Sequence, residues 1–173
     1  IDKYNKNHEQ KIDYIVVNDC SKDSTEKILR NNNINHINLV SNLGIGGAVQ
    51  TGYRYAQENN YDIAVQFDGD GQHDVNYIET LCKPIIDKKA NICVGSRYLD
   101  DTTSEFKSSF MRRFGKNIIS IMIKIFTGTK ITDPTSGFRA ADKEIIKLFS
   151  TDYPTYYPEP ESLVNIIKNG YKI

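Results

Sequence analysis

Two aspartates separated by a single glycine, Asp68-Gly-Asp70, stand directly after the run Asp62-Ile-Ala-Val-Gln-Phe67 and lead into Gly71-Gln-His-Asp74. Hard carboxylate oxygens this close together suit a divalent cation. One carboxylate binds it directly and the other orients its waters or a ribose. Mg²⁺ takes few protein ligands and completes its shell with water and substrate phosphates, which matches so sparse a site. Gly69 and Gly71 let a bulky diphosphate approach the backbone.

Other chemistries compete for the same residues. An EF-hand loop starting at Asp68 would place Glu79 at its twelfth position, but His73 occupies the sixth, where glycine is needed, and a strand rather than a helix precedes the loop. A haloacid-dehalogenase-type phosphatase would use Asp68 as nucleophile and Asp70 as acid. That arrangement normally follows the first strand, and no plausible later Lys with a second acidic pair is visible. Asp100-Asp101 lies in a polar stretch. A solvated Asp/Gly turn is what the loop would suggest by itself.

The elements around the loop decide what it can meet. Asp13-Tyr-Ile-Val-Val-Asn18, Ile37-Asn-Leu-Val40, Asp62 to Phe67 and Asn91-Ile-Cys-Val-Gly95 read as short strands. Helices are expected from the Asp19–Ser24 turn to about Asn31, from the Asn42-Leu-Gly-Ile-Gly-Gly47 turn to about Asn59, and from about Val75 to Lys88. This alternation predicts an α/β fold, a Rossmann-like, mostly parallel sheet with helices on both faces. Ligands in such sheets sit beyond the carboxyl ends of the strands. Asp19, Asp68 and Arg97 all lie at such ends and are expected to converge on one crevice. Beyond residue 100 the pattern changes: a long helix from Ser108 to about Phe126, a Gly/Pro/Thr loop to Ser136, a short strand at Gly137–Ala141, a helix from Lys143 to Phe149, and a last helix from Glu161 to Asn169 after the Pro/Tyr-rich stretch 153–160. The opening, Ile1 to Lys11, is polar and carries no strand signal. No linker divides the 173 residues, which read as a single domain.

Composition excludes some partners. Lys+Arg and Asp+Glu balance at 22 each, so there is no global basic field for nucleic acid. Three cysteines, Cys20, Cys82 and Cys93, cannot all pair and lack a CxxC spacing, which points to a reducing, cytoplasmic setting. The densest apolar run, Ile118 to Phe126, falls far short of the ~20 residues of a membrane span.

Five segments in order carry a resemblance: Val17-Asn-Asp-Cys-Ser-Lys-Asp-Ser-Thr25, Asn42-Leu-Gly-Ile-Gly46, Asp68-Gly-Asp-Gly-Gln-His73, Gly95-Ser-Arg97 and Asp133-Pro-Thr-Ser-Gly-Phe-Arg139. Together they resemble the family 2 glycosyltransferases, most closely the polyprenyl-phosphate branch typified by dolichol-phosphate mannosyltransferase. The resemblance implies a GT-A fold, a nucleotide-sugar donor (a UDP- or GDP-hexose), Mg²⁺ or Mn²⁺, and inversion at the anomeric carbon. It implies that Asp19 contacts the donor's base or ribose, that Asp68 and Asp70 form the metal-binding DxD pair with Gln72 as an additional ligand, and that Arg97 and Arg139 face phosphates. Glu161 would be the acidic residue on the helix closing the acceptor side. The family's first strand, with its Pro-x-Tyr-Asn-Glu-like segment, and its continuation after Ile173 are expected to have no counterpart here. A glycan or surface-polysaccharide transferase, and a non-catalytic nucleotide-sugar-binding module, remain alternatives.

Cleaving a sugar–diphosphate bond builds negative charge on the leaving phosphate, where a cation and a guanidinium stabilise it. A lipid-linked phosphate acceptor is already anionic and needs no strong base. A hydroxyl acceptor needs a carboxylate, for which Asp133 is the candidate, with Glu159 and Glu161 as similar ones. Asp133 capping its turn, and the two glutamates as helix N-terminal charges, are the bland counterparts. His73 reads as loop scaffolding and Asp23 as a helix cap. The glycine-rich turn at Asn42–Gly47 reads as close packing or nucleotide-side shaping. The apolar helix with Arg112, Arg113, Lys116 and Lys124 could lie on an anionic membrane at its cytoplasmic face, with Arg112 or Arg113 contacting an acceptor phosphate. The alternative is a core helix with a solvated basic edge. Oligomeric state is not legible.

Overall fold

The computed structural model of the protein describes residues 1–96 and 110–173, with side chains described except at 110–114 and 116. Residues 97–109 lie outside the described residues, and with them Arg97, Asp100-Asp101 and the expected helix start at Ser108, as do the side chains of Arg112, Arg113 and Lys116.

The described residues form five strands: β1 (Val16–Asn18), β2 (His36–Asn38), β3 (Ile63–Gln66), β4 (Ile92–Val94) and β5 (Arg139–Asp142). β1 and β2 pair in parallel, Val17 opposite Ile37. β5 lies between β3 and β4 and is antiparallel to both, so β3 and β4 run in the same direction. The α/β alternation is therefore as expected from the sequence. The antiparallel insertion is the structure's addition, and it sets Gln66 opposite Arg139 and Ala64 opposite Ala141.

Side-chain alternation along these strands sends successive residues to opposite faces. On one face Ala64, Ala141 and Ile92 pack with Tyr53, Ala56, Ile145, Ile146 and Phe149. Those residues come from helix α3 (Gly44–Glu58) and helix α6 (Lys143–Thr151), which pack against each other. Tyr53 and Phe149 meet edge to face at 5.1 Å. On the other face Val65, Ala140 and Cys93 pack with Ile78, Leu81, Cys82 and Ile85 of helix α4 (Ile78–Ile86). Those four recur at helical spacing, so one stripe of α4 covers the sheet. Helices thus cover both faces of β3-β5-β4.

Two boundaries differ from expectation for local reasons. Residues Asp2–Asn7 form helix α1, where Tyr4 is buried and donates its hydroxyl to Glu79. One buried aromatic anchors a segment that reads as wholly polar. The last helix, α7, spans Pro158–Lys168 because Pro158 takes its first position, where a missing N–H costs nothing. Helix α2 (Thr25–Asn31) is preceded by Asp23, which accepts Thr25 N–H at 2.9 Å and so serves as the turn cap that the sequence suggests. Asp142 caps α6 through Ile145 N–H at 2.9 Å.

Helix α5 (Phe110–Thr127) is apolar on two sides. Ile119 and Ile123 pack with Ile131 and with Leu163, Val164 and Ile167 of α7. Ile118, Ile121, Met122, Ile125 and Phe126 point away and are 43–73% exposed. Among the described residues no helix is long and apolar enough to cross a membrane. The three cysteines are free, and burial pushes the Cys82 thiol up to about 11.

Candidate active site

Asp68 leaves the end of β3 on the same face as Ala64 and Gln66, by the two-residue period of the strand. Its backbone N–H donates to Nδ1 of His73 at 3.1 Å. Nδ1 must therefore be the unprotonated ring nitrogen, and the proton sits on Nε2, which faces Asp68 Oδ2 at 3.8 Å. The ring stacks on Phe138 at 5.0 Å and meets Phe67 edge-on at 5.5 Å. His73 folds the acidic loop back on itself, which is the scaffolding role anticipated for it. Asp70 accepts Gln72 N–H at 3.0 Å and is exposed, as is Gln72.

Across from Asp68 lies Gly137. A Cβ there would stand 2.8 Å from Asp68 Oδ2 and 3.1 Å from Gln66 Nε2. The absent side chain is what lets the Asp68 carboxylate sit where it does. Nothing approaches Gly69 or Gly71 within 4 Å of a built Cβ, and Gly71 is at φ +78°, so the loop is open on its outer side.

The described residues hold no cluster of three or more His, Cys, Asp or Glu side chains arranged for a metal. The loop offers two carboxylates and the Gln72 amide. That donor set fits a hard cation that takes its remaining ligands from water and phosphate, and does not fit one that needs an all-protein cage. The EF-hand reading fails on geometry, because Glu79 turns away from the loop to accept the Tyr4 hydroxyl.

Asp19 belongs to a neighbouring turn. Its Oδ1 accepts Leu43 N–H at 2.7 Å, its carbonyl accepts the Asn42 side-chain amide at 3.2 Å, and Asn42 Oδ1 in turn accepts Gly44 N–H at 3.2 Å. The carboxylate at the end of β1 thereby supplies a cap for α3 that Leu43 cannot provide. In the same turn Gly46 is buried. A Cβ on it would lie 2.4 Å from the Pro154 carbonyl oxygen, so the glycine-rich turn serves close packing against residues 154–155.

Two of the expected site residues, Asp133 and Arg139, lie in the interior. Arg139 is the deeper of them. It is fully buried, and its guanidinium donates to the carbonyls of Ser136 (2.8 Å), Pro134 (3.1 Å) and Glu159 (2.9 Å) and to Ser162 Oγ (2.8 Å). It ties the 134–136 loop to the first turn of α7. Burial lowers its pKa, and the nearby Tyr153, Tyr53, Glu159 and Asp133 oppose that shift. Asp133 is likewise buried, at 1% exposure, and accepts the Thr135 hydroxyl at 3.1 Å. In this arrangement it shapes the loop and does not present a base to the surface. Glu161 stands exposed in the first turn of α7, beside Glu159. Tyr153 roofs the group: burial pushes its phenol up to about 12, against the pull of Arg139, with Glu159 and Asp68 adding smaller shifts.

Gln66 went unnoticed in the sequence. Its amide nitrogen and oxygen are both buried, and neither has a hydrogen-bond partner among the described residues. The available signal was a polar residue at the end of an otherwise apolar strand, Ile63-Ala-Val-Gln66.

Comparison with known proteins identifies the family. Residues 1–149 match the model of Glycosyl transferase family 2. The chain is 36% identical over 179 aligned positions to a UDP-N-acetylglucosamine–dolichyl-phosphate N-acetylglucosaminyltransferase of Methanococcus voltae, covering 92% of this chain and 70% of the relative. It is 30% identical to an uncharacterised protein of Methanocaldococcus jannaschii, covering 92% of this chain and 66% of that one. A polyprenol monophosphomannose synthase of Mycolicibacterium smegmatis is 26% identical, with 92% of this chain aligned and 63% of the relative. The chain thus spans about two thirds of the length of these relatives. With a family match over most of its length and the Asp68–Asp70 loop at the end of β3, the chain belongs to the family 2 glycosyltransferases.

Proposed function

We propose that this domain transfers a hexose from a nucleotide sugar to a polyprenyl phosphate, with inversion and with a divalent cation bound at Asp68 and Asp70. The observation that carries the reading is the Asp68 carboxylate at the end of β3, fitted against Gly137 and open toward Asp70 and Gln72. The relatives' names, which mention dolichyl phosphate and polyprenol, support the acceptor class. A cation held there supplies positive charge where the leaving diphosphate becomes negative.

The chain's own residues divide the remaining work. Asp19, at the end of β1, faces the donor's nucleoside while bracing the Leu43 turn. Asp68 binds directly, Asp70 and Gln72 complete the loop's donor set, and Arg97 is assigned to the donor phosphates. A phosphate acceptor arrives as an anion, so no residue needs to remove a strongly held proton. Asp133 and Arg139 then act by position: they hold the loop that carries Gly137 against Asp68. Glu161, exposed at the start of α7, is assigned to the acceptor side.

The exposed stripe of α5 supports a membrane-surface acceptor. Ile118, Ile121, Met122 and Ile125 recur at i, i+3, i+4 and i+7, Phe126 extends the stripe, and Arg112, Arg113, Lys116 and Lys124 share the helix. An apolar stripe on a basic helix lies in an anionic interface at the cytoplasmic leaflet. The double change Ile121→Asp and Ile125→Asp is expected to weaken sedimentation with phosphatidylglycerol-containing vesicles by about a hundredfold, at roughly tenfold per buried side chain. Unchanged sedimentation would sink the membrane assignment.

Incubation with UDP- and GDP-hexoses, a short polyprenyl phosphate and Mn²⁺, followed by chromatography of the lipid product, tests the activity. Expected is a glycosylated lipid phosphate whose formation stops on chelation. Metal-independent nucleotide-sugar binding without turnover would replace the reading with a binding module. Transfer only to glycan hydroxyls would replace the acceptor.

A further inference from the structure

Gln66 carries a buried amide with an unpaired donor and an unpaired acceptor. Leaving such a group unpaired costs about 1–3 kcal/mol, so a fold that keeps one beside its functional carboxylate calls for an explanation. Its surroundings supply one. Gln66 ends β3 and Asp68 follows two residues later, and Gln66 Nε2 and Asp68 Oδ2 both lie close to the point a Gly137 Cβ would occupy, at 3.1 and 2.8 Å.

The cross-strand neighbour of Gln66 is Arg139, on the same face. A guanidinium is the stronger partner for a carboxylate. Here four of its five N–H donors go to three carbonyls and Ser162, which hold the guanidinium in place away from a pairing with Asp68. That diversion matters if Asp68 is to hold a cation. A fixed positive charge paired to the carboxylate would compete with the metal, whereas a neutral N–H orients the carboxylate without repelling the cation.

We propose that Gln66 is a positioning residue for Asp68: its amide N–H, free of any other partner, hydrogen-bonds the Asp68 carboxylate when that carboxylate turns to bind a divalent cation. The inference rests on the reading of Asp68 as a metal ligand. Groups that orient metal-binding carboxylates change metal affinity by 10- to 100-fold when removed, by general experience of such sites.

Gln66→Met keeps the length and removes the hydrogen-bonding groups. Two quantities are measured on the whole chain: Mn²⁺ affinity, from the free-ion electron paramagnetic resonance signal with Mn²⁺ as the sole probe, and the melting temperature. A role in orienting Asp68 moves them in different directions. Mn²⁺ binding is expected to weaken about tenfold or more. The melting temperature is expected to hold or rise, since an unpaired buried amide has been replaced by an apolar side chain. Loss of both would assign Gln66 to the packing of the sheet and overturn the proposal. So would unchanged Mn²⁺ binding in Gln66→Met alongside weakened binding in Asp68→Asn, and in that case the metal site itself would stand. Unchanged Mn²⁺ binding in Asp68→Asn would remove the metal reading and the role of Gln66 with it.

Discussion

Arg139→Met is expected to lower the stability of the fold by about 3 kcal/mol, read from urea unfolding followed by circular dichroism. The wild-type guanidinium reaches the carbonyls of Pro134, Ser136 and Glu159 and the hydroxyl of Ser162, all in a fully buried setting. Removing it strands the carbonyl oxygens of Pro134 and Ser136 in a buried setting, while the Glu159 carbonyl keeps the Ser162 hydroxyl at 3.0 Å. Each hydrogen bond to a charged donor is worth about 1.5–3 kcal/mol, so the gross loss exceeds the net figure. The offset is the desolvation penalty of the charge, which disappears with the side chain. Arg139→Lys should recover less than half, because a compact ammonium with three donors cannot reproduce a planar fork aimed at four acceptors. The loss also falls on the site. The 134–136 loop and the first turn of α7 lose their common anchor, and Gly137 follows directly in the chain. A change under about 1 kcal/mol would mean that the stranded acceptors find other partners and that Arg139 is not the strut of this loop.

Arg139 also marks the limit of what the sequence reveals. Strand identity and the placement of Asp19 and Asp68 at strand ends follow from local apolar runs and turn residues, and the structure has both where expected. The DxD loop is legible because glycine and aspartate declare an open, oxygen-rich turn within seven residues. The fate of Arg139 is not local. The family resemblance assigns Arg139 to a phosphate, and the Pro/Thr/Ser/Gly stretch before it carries no signal of burial. Its burial depends on β5 inserting between two distant strands, with Ala140 opposite Val65 and Cys93, 75 and 47 residues away in the chain, and on the start of α7 supplying Glu159 and Ser162. Gln66 is hidden for the same reason, since only the pairing with Arg139 and the nearness of Gly137 give its amide a meaning. Tyr4 repeats the lesson on a small scale: one aromatic docked on Glu79 orders a segment with no apolar periodicity.

Gly137→Ala is expected to reduce sugar transfer about a hundredfold while leaving stability within about 1 kcal/mol of the wild type. The added Cβ falls 2.8 Å from Asp68 Oδ2, closer than such atoms approach, so one of the two must move. The cheaper motion is a swing of the Asp68 carboxylate, the free end of a flexible side chain on an open loop. The fold therefore absorbs the methyl group, and the cost appears in chemistry: a ligand displaced by the order of an ångström no longer meets the diphosphate it must bridge. Gly46→Ala provides the contrast. Its Cβ would strike backbone, the Pro154 carbonyl oxygen at 2.4 Å and Thr155 Cα at 2.8 Å, and neither can rotate away. That variant should lose about 1–3 kcal/mol through overpacking. Thermal melts of both variants, with turnover and Mn²⁺ affinity for Gly137→Ala, separate the cases. If Gly137→Ala transfers sugar at the wild-type rate, the carboxylate position held against Gly137 is not the one the reaction uses. If it melts as early as Gly46→Ala, the glycine serves the packing of β5 and not the placement of Asp68.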